Sequence, residues 1–113
     1  MDIVFSSEKL RKIFNSDSQL RRKYGDRQAK RLQQRLFELY AAETLADVSY
    51  LPPPRCHALT GDRAGQFAVD MIHPYRLIFE PAHNPIPCLA DGSIDRAHVT
   101  AIRILEVEDY HGK

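Results

Sequence analysis

Three consecutive prolines, Pro52-Pro53-Pro54, divide the 113-residue chain into two stretches that obey different periodicities. Proline lacks an amide hydrogen and fixes φ, so no helix runs through the triplet, which forms a stiff extended connector leading to Arg55-Cys56-His57. Before it, Ile3-Val4-Phe5 reads as a short strand, and Ser6 or Ser7 can cap a helix carrying Leu10, Ile13 and Phe14 at helical spacing. Ser16-Asp17-Ser18-Gln19 matches a capping box for a second helical piece ending near Tyr24-Gly25. A long helix follows, with Asp26 placed to cap it. Its apolar stripe is Ala29, Leu32, Leu36, Leu39 and Tyr40, with Arg27, Lys30, Arg31, Gln34 and Arg35 on the other faces.

After the prolines the period drops to two. Gly61 and Gly65 bracket a turn, and Phe67, Val69 and Met71 then alternate with Ala68, Asp70 and Ile72. His73-Pro74 makes the next turn, and the following strand sends Tyr75, Leu77 and Phe79 to one face and Arg76, Ile78 and Glu80 to the other. The stretch from Pro81 to Arg96 holds three prolines and an Asp91-Gly92 turn signal, which predicts an exposed loop or small hairpin. Val99 to Val107 is apolar on both faces apart from Thr100, Arg103 and Glu106, so it is expected to lie centrally in a sheet. Helices first and strands after give an α+β fold, with the helices on one face of a small, mostly antiparallel sheet and the other face left for a ligand.

Composition narrows the function classes. A chain of 113 residues supports one domain, spanning 1–113, and no apolar run approaches the roughly 20 residues that cross a bilayer. The segment Met1-Asp2-Ile3-Val4-Phe5 has no preceding basic stretch and is followed by polar residues, so it does not read as a secretory signal, and a cytoplasmic location is expected. The cysteines, Cys56 and Cys88, have no metal-site spacing and are expected to be reduced and partly buried, with no metal or cofactor. Net charge is only +1, but residues 1–40 hold ten basic against five acidic residues, and the remainder six against ten. That split offers a basic surface to RNA or to an acidic partner segment, or is simply a solvated helix face.

Chemistry-bearing residues gather in three places: His57 ahead of Leu59-Thr60-Gly61-Asp62-Arg63, Arg76 within Tyr75-Arg76-Leu77-Ile78-Phe79, and Val107-Glu108-Asp109-Tyr110-His111 at the end of the last strand. These are the parts of an acid-base site acting on a phosphate. Histidine exchanges a proton near neutrality, since its unperturbed pKa is about 6.5. The arginine fork matches two phosphate oxygens and keeps its charge. Taken singly, each has a structural alternative: His57 satisfied by loop backbone, Arg76 paired with Glu80 or Asp70, a terminal histidine merely exposed. His73, His83 and His98 are expected to be structural or surface residues.

In the order His57-Ala-Leu-Thr-Gly-Asp-Arg, Arg76-Leu77-Ile78-Phe79 and Asp109-Tyr110-His111, the chain resembles the HigB branch of the RelE superfamily, the toxins of type II toxin-antitoxin pairs. The initial strand followed by helices also fits, so the resemblance covers nearly the whole chain. Where many of these toxins carry asparagine and tryptophan before the strand arginine, this chain has Ile72-His73-Pro74-Tyr75-Arg76. The resemblance implies a RelE-like fold and a ribosome-dependent mRNA endonuclease needing no metal. In it the RNA 2′-hydroxyl attacks the adjacent phosphorus, leaving a 2′,3′-cyclic phosphate and a 5′-hydroxyl. His57, Asp109, Tyr110 and His111 fall on the family's catalytic positions, with Arg76 expected on the scissile phosphate and Arg63 on a flanking one. It further implies a HigA-like helix-turn-helix antitoxin, contact with ribosome and mRNA, and operator DNA bound mainly through the antitoxin. Two alternatives stand beside it: a catalytically silent module of the same fold that binds an antitoxin or transcription regulator, and a metal-dependent hydrolase using Cys56, His57, Asp109 and His111.

Overall fold

The computed structural model describes residues 1–109. Strand β1 (Asp2–Phe5) leads into helices α1 (Glu8–Phe14), α2 (Asp17–Tyr24) and α3 (Asp26–Ala41), and strands β2 (His57–Ala58), β3 (Phe67–Asp70), β4 (Tyr75–Pro81) and β5 (Ala101–Asp109) follow. They form one five-stranded sheet in the order β1-β5-β4-β3-β2, in which β1 runs parallel to β5 and the other three pairings are antiparallel. The last strand is interior as its sequence implied, flanked by β1 and β4. Among the described residues no helix is long and apolar enough to cross a membrane.

Local chemistry sets the helix starts. Ser7 caps α1 by accepting the Leu10 amide at 3.1 Å, and Ser16 caps α2 by accepting that of Gln19 at 3.3 Å. Gly25, at φ +84°, closes α2 and opens α3 in a conformation that side chains rarely adopt. It therefore stands where Asp26 was expected to cap, and Asp26 becomes the first residue of α3. At the other end of α3, whose last turn has no basic residue, the Met1 ammonium donates to the carbonyls of Leu39, Tyr40 and Ala42 and supplies the missing positive charge.

Leu20, Leu32 and Leu39 from the helices pack with Phe67, Val69, Leu77, Phe79, Ile102 and Ile104 from one face of the sheet. Two expectations for α3 are corrected. Tyr40 is 69% exposed, because the stripe turns away from the sheet at the helix end, and Arg35 is 1% exposed inside the core. The buried guanidinium is tolerated because it is paired: Nε donates to the Asp70 carbonyl at 2.6 Å and Nη1 meets the Glu38 carboxylate at 3.1 and 3.2 Å.

The opposite face of the sheet carries His57, Asp70, Arg76, Ile78, Glu106 and Glu108, as the register requires. Its polarity depends on one irregularity. Ile78 pairs with Glu106 and Phe79 with Ile104, so Leu105 is an extra residue, a β-bulge. Without it, Glu106 and Glu108 would share a face with Ile102 and Ile104 in the core. The bulge reverses the parity, sends Val107 inward opposite Leu77, and turns both glutamates outward.

The 82–100 connection is an ordered small hairpin. Cys88 and Ile94 form a bridge, Gly92 at φ +90° makes the turn, and Nε2 of His83 accepts the amides of Thr100 and Ala101 at 3.0 and 3.3 Å.

Candidate active-site cleft

On the open face a cleft of about 530 Å³ is lined by Arg55, His57, Thr60, Asp62, Arg63, Arg76 and Glu108 among others. Each side chain arrives from a different element. His57 stands on the two-residue edge strand β2, directly after the proline connector, and Arg76 on the central strand β4. Arg63 lies on the turn after β2 and reaches Glu106 Oε2 at 2.7 Å and Glu108 Oε2 at 3.1 Å on β5. Because β3 and β4 lie between β2 and β5, the turn carrying Arg63 has to fold over this face of the sheet, where Ala68 and Ile78 are fully buried although they face away from the helices.

The imidazole is oriented by backbone. Nδ1 of His57 lies 2.8 Å from the Arg55 carbonyl oxygen, and only a protonated nitrogen can bond to a carbonyl. The neutral ring therefore carries its proton on Nδ1 and its lone pair on Nε2, the tautomer of a base with its second nitrogen available. That carbonyl is aimed by an unusual turn: Arg55 adopts φ +55°, a left-handed conformation costing roughly 1–2 kcal/mol for a residue with a side chain. Its guanidinium is clamped on Asp70, Nε to Oδ2 at 2.6 Å and Nη2 to Oδ1 at 2.8 Å.

Glu108 is the centre of the charge arrangement. It is 6% exposed, and one oxygen, Oε2, meets both Arg63 Nε and Arg76 Nη2, at 3.1 and 3.2 Å. Arg63 is held at a third point, where Nη1 donates to Gln66 Oε1 at 2.7 Å. The hydrogen bond with Glu106, helped by the charges of Glu106 and Glu108 and opposed by partial burial, raises its pKa above the ordinary arginine range. An anion entering the cleft thus meets arginines already held by carboxylates, and binds by sharing or displacing them. Beyond Arg55 and Arg76 the cleft continues into a recess of about 330 Å³ that includes His73 and Tyr75.

Of the residues read from sequence, the structure brings His57, Arg63 and Arg76 together and adds Arg55 and Glu108. Asp109 is set opposite Tyr75, so it leaves β5 on the far side from Glu108 and does not line the cleft. Tyr110 and His111 lie outside the described residues. The signal for Glu108 was present in the sequence: Ile102, Ile104 and Val107 break strict alternation, which only an extra residue reconciles with a single buried face. Nothing in the sequence marked Arg55.

Cys56 departs from the hydrolase alternative. It is 2% exposed in the helix-side core, while its neighbour His57 lines the cleft on the opposite face, and burial pushes its thiol up to about 11. A thiol so disposed is neither nucleophile nor ligand beside His57.

Charge bookkeeping in the cleft gives a direct test. Glu108→Gln keeps the shape and removes one buried negative charge, so a short RNA at low salt is expected to bind about threefold tighter or more, read by fluorescence anisotropy. Weaker binding would mean that the carboxylate's main part is to aim the two arginines. The chain matches no protein-family model and no curated protein.

Proposed function

We propose that the chain is a HigB-like member of the RelE superfamily, with its RelE-like fold, acting as the toxin of a type II pair that cuts mRNA in the ribosome. One observation carries this reading. His57 and Arg76, far apart in the chain, converge in one open-face cleft, and the imidazole is held with Nε2 as its basic nitrogen. The three-helix layer on one face of a mostly antiparallel sheet supports the family assignment as well.

In this reading Nε2 of His57 takes the proton of the 2′-hydroxyl, and O2′ forms the new bond to phosphorus. The bond from phosphorus to O5′ breaks, and His111, on the family's matching position, returns a proton to O5′. The products are a 2′,3′-cyclic phosphate and a 5′-hydroxyl, and no metal enters the balance. Arg76 stabilises the charge on the phosphorane, Arg63 uses its remaining N–H groups toward a flanking phosphate, and Tyr110 keeps the catalytic position the resemblance gives it, while Asp109, turned away from the cleft, takes no part in the step. A HigA-like antitoxin, the ribosome with its mRNA, operator DNA through the antitoxin and a cytoplasmic location belong to the same proposal.

The second reading, a silent module that binds an antitoxin or regulator, is favoured by the pairing of all three cleft arginines with carboxylates. It also draws on an exposed apolar groove of about 390 Å³ formed by Ile3, Phe5, Leu36, Phe37 and Tyr40. Induced expression without antitoxin separates the two. The nuclease predicts growth arrest and discrete cuts inside translated codons by primer extension, both lost in His111→Ala. Soluble wild type that neither slows growth nor cuts would favour the silent module.

A further inference from the structure

On the far side of the edge strand β2 lies a second cleft, of about 600 Å³, sharing Ala58 with the first. Its floor is Phe67, and its outer wall is the hairpin of the 82–100 connection, contributing Leu89, Gly92, Ser93 and Ile94. The wall is preformed. The Leu89 amide donates to Ser93 O at 2.7 Å, the Gly92 amide to Leu89 O at 2.9 Å, and the Asp95 amide to Pro87 O at 2.9 Å. Arg96 lays its guanidinium over the Phe67 ring, Cζ 4.9 Å from the centroid, and is otherwise exposed.

Gln66 joins the two clefts. Its Oε1 must face Arg63 Nη1, which can only donate, so the amide nitrogen with its two N–H groups is turned away from Arg63. The second cleft thus combines apolar walls, a flat cation stacked on an aromatic ring, and Gln66, whose amide oxygen is held by an arginine of the first cleft. That combination suits a planar heteroaromatic ligand. Unpaired bases stack on aromatic rings and on arginine planes, and they are read by hydrogen bonds to their edges.

We infer that this second cleft is a nucleobase-binding subsite, in which a base stacks against Arg96 over Phe67 and presents an acceptor edge to the Gln66 amide. It rests on the reading of the first cleft as a site for an RNA phosphate, and it assigns the 82–100 hairpin the task of choosing which base lies next to that phosphate. A nucleotide chain crossing the short edge strand would place its phosphate near His57 and Arg76 and its neighbouring base under the hairpin.

The test is an NMR titration of the full ¹⁵N-labelled chain with adenosine, guanosine, cytidine and uridine 5′-monophosphates, and with ribose 5-phosphate, at one low salt concentration. At least one nucleotide is expected to shift the amides of Gln66, Phe67, Gly92 and Ser93, while ribose 5-phosphate shifts only those around His57 and Arg63. Because stacking contributes roughly 1–3 kcal/mol per base, Arg96→Ala is expected to weaken that nucleotide about fivefold or more without weakening ribose 5-phosphate. Gln66→Ala should narrow the differences among the four bases. The inference is overturned if ribose 5-phosphate binds as well as every nucleotide, if nothing binds at millimolar concentration, or if base-dependent shifts survive both substitutions. Base-dependent binding by a chain that cuts no RNA would support the subsite and sink the nuclease. Cutting without any base-dependent response would sink the subsite alone.

Discussion

Replacing His57 by alanine is expected to slow ribosome-dependent mRNA cleavage by about 10²- to 10⁴-fold while leaving the fold intact, the range for loss of a positioned general base. The side chain is only partly buried, on an edge strand of two residues, so its removal opens no core cavity. With Nδ1 donating to the Arg55 carbonyl, the neutral ring offers a lone pair at Nε2 to the 2′-hydroxyl. A His57→Ala rate within a few-fold of wild type would remove this residue from the role of base. His57→Gln, which restores a side chain of similar reach without a titrating group, should not rescue the rate.

Arg35→Ala is expected to lower stability by about 3 kcal/mol, seen as an earlier denaturation midpoint with an unchanged slope. The substitution removes the charge-assisted bond to the Asp70 carbonyl, leaves that oxygen without its arginine donor, and empties a volume among Leu32, Leu39 and the sheet. Arg35→Met should cost less, since its chain fills the space of the arginine stem. The consequence extends beyond the core. Asp70 accepts Arg35 at its carbonyl, donates its amide to Pro54 at 2.8 Å and clamps Arg55 with its carboxylate, and the Arg55 carbonyl orients His57. Arg35→Ala should therefore broaden the His57 ring signals in NMR at temperatures well below unfolding. Sharp, unshifted signals would show that the Asp70 hub holds without the helix.

The groove at Ile3, Phe5, Leu36, Phe37 and Tyr40 leaves Tyr40, which helical spacing assigns to the core, exposed beside Phe37. On the sequence, Tyr40 continues the spacing of Leu32, Leu36 and Leu39. In the fold, β1 is an edge strand, and among the described residues no element lies beyond it in the sheet to cover the end of α3. An apolar residue at helical spacing is buried only if a second element reaches it.

What the sequence determined by itself was local. Proline placement separated helix from strand, Ser7 and Ser16 set helix starts through their own hydroxyls, and alternation in Tyr75–Pro81 put Arg76 on the face opposite Leu77 and Phe79. These features depend on bonds and spacings within a few residues. Tertiary structure decided which carboxylate joins the arginines. The resemblance pointed to Asp109 and gave Glu108 no role, but the bulge at Leu105 fixed the parity of β5 against β4 and turned Glu108 to the arginines, and parity is a property of two strands together. It likewise decided that Arg35 is buried, because only the end of β3 supplies the carbonyl that makes a core guanidinium tolerable. Arg55 was invisible for the same reason: its left-handed turn and its grip on Asp70 exist only once the connector is folded against β3.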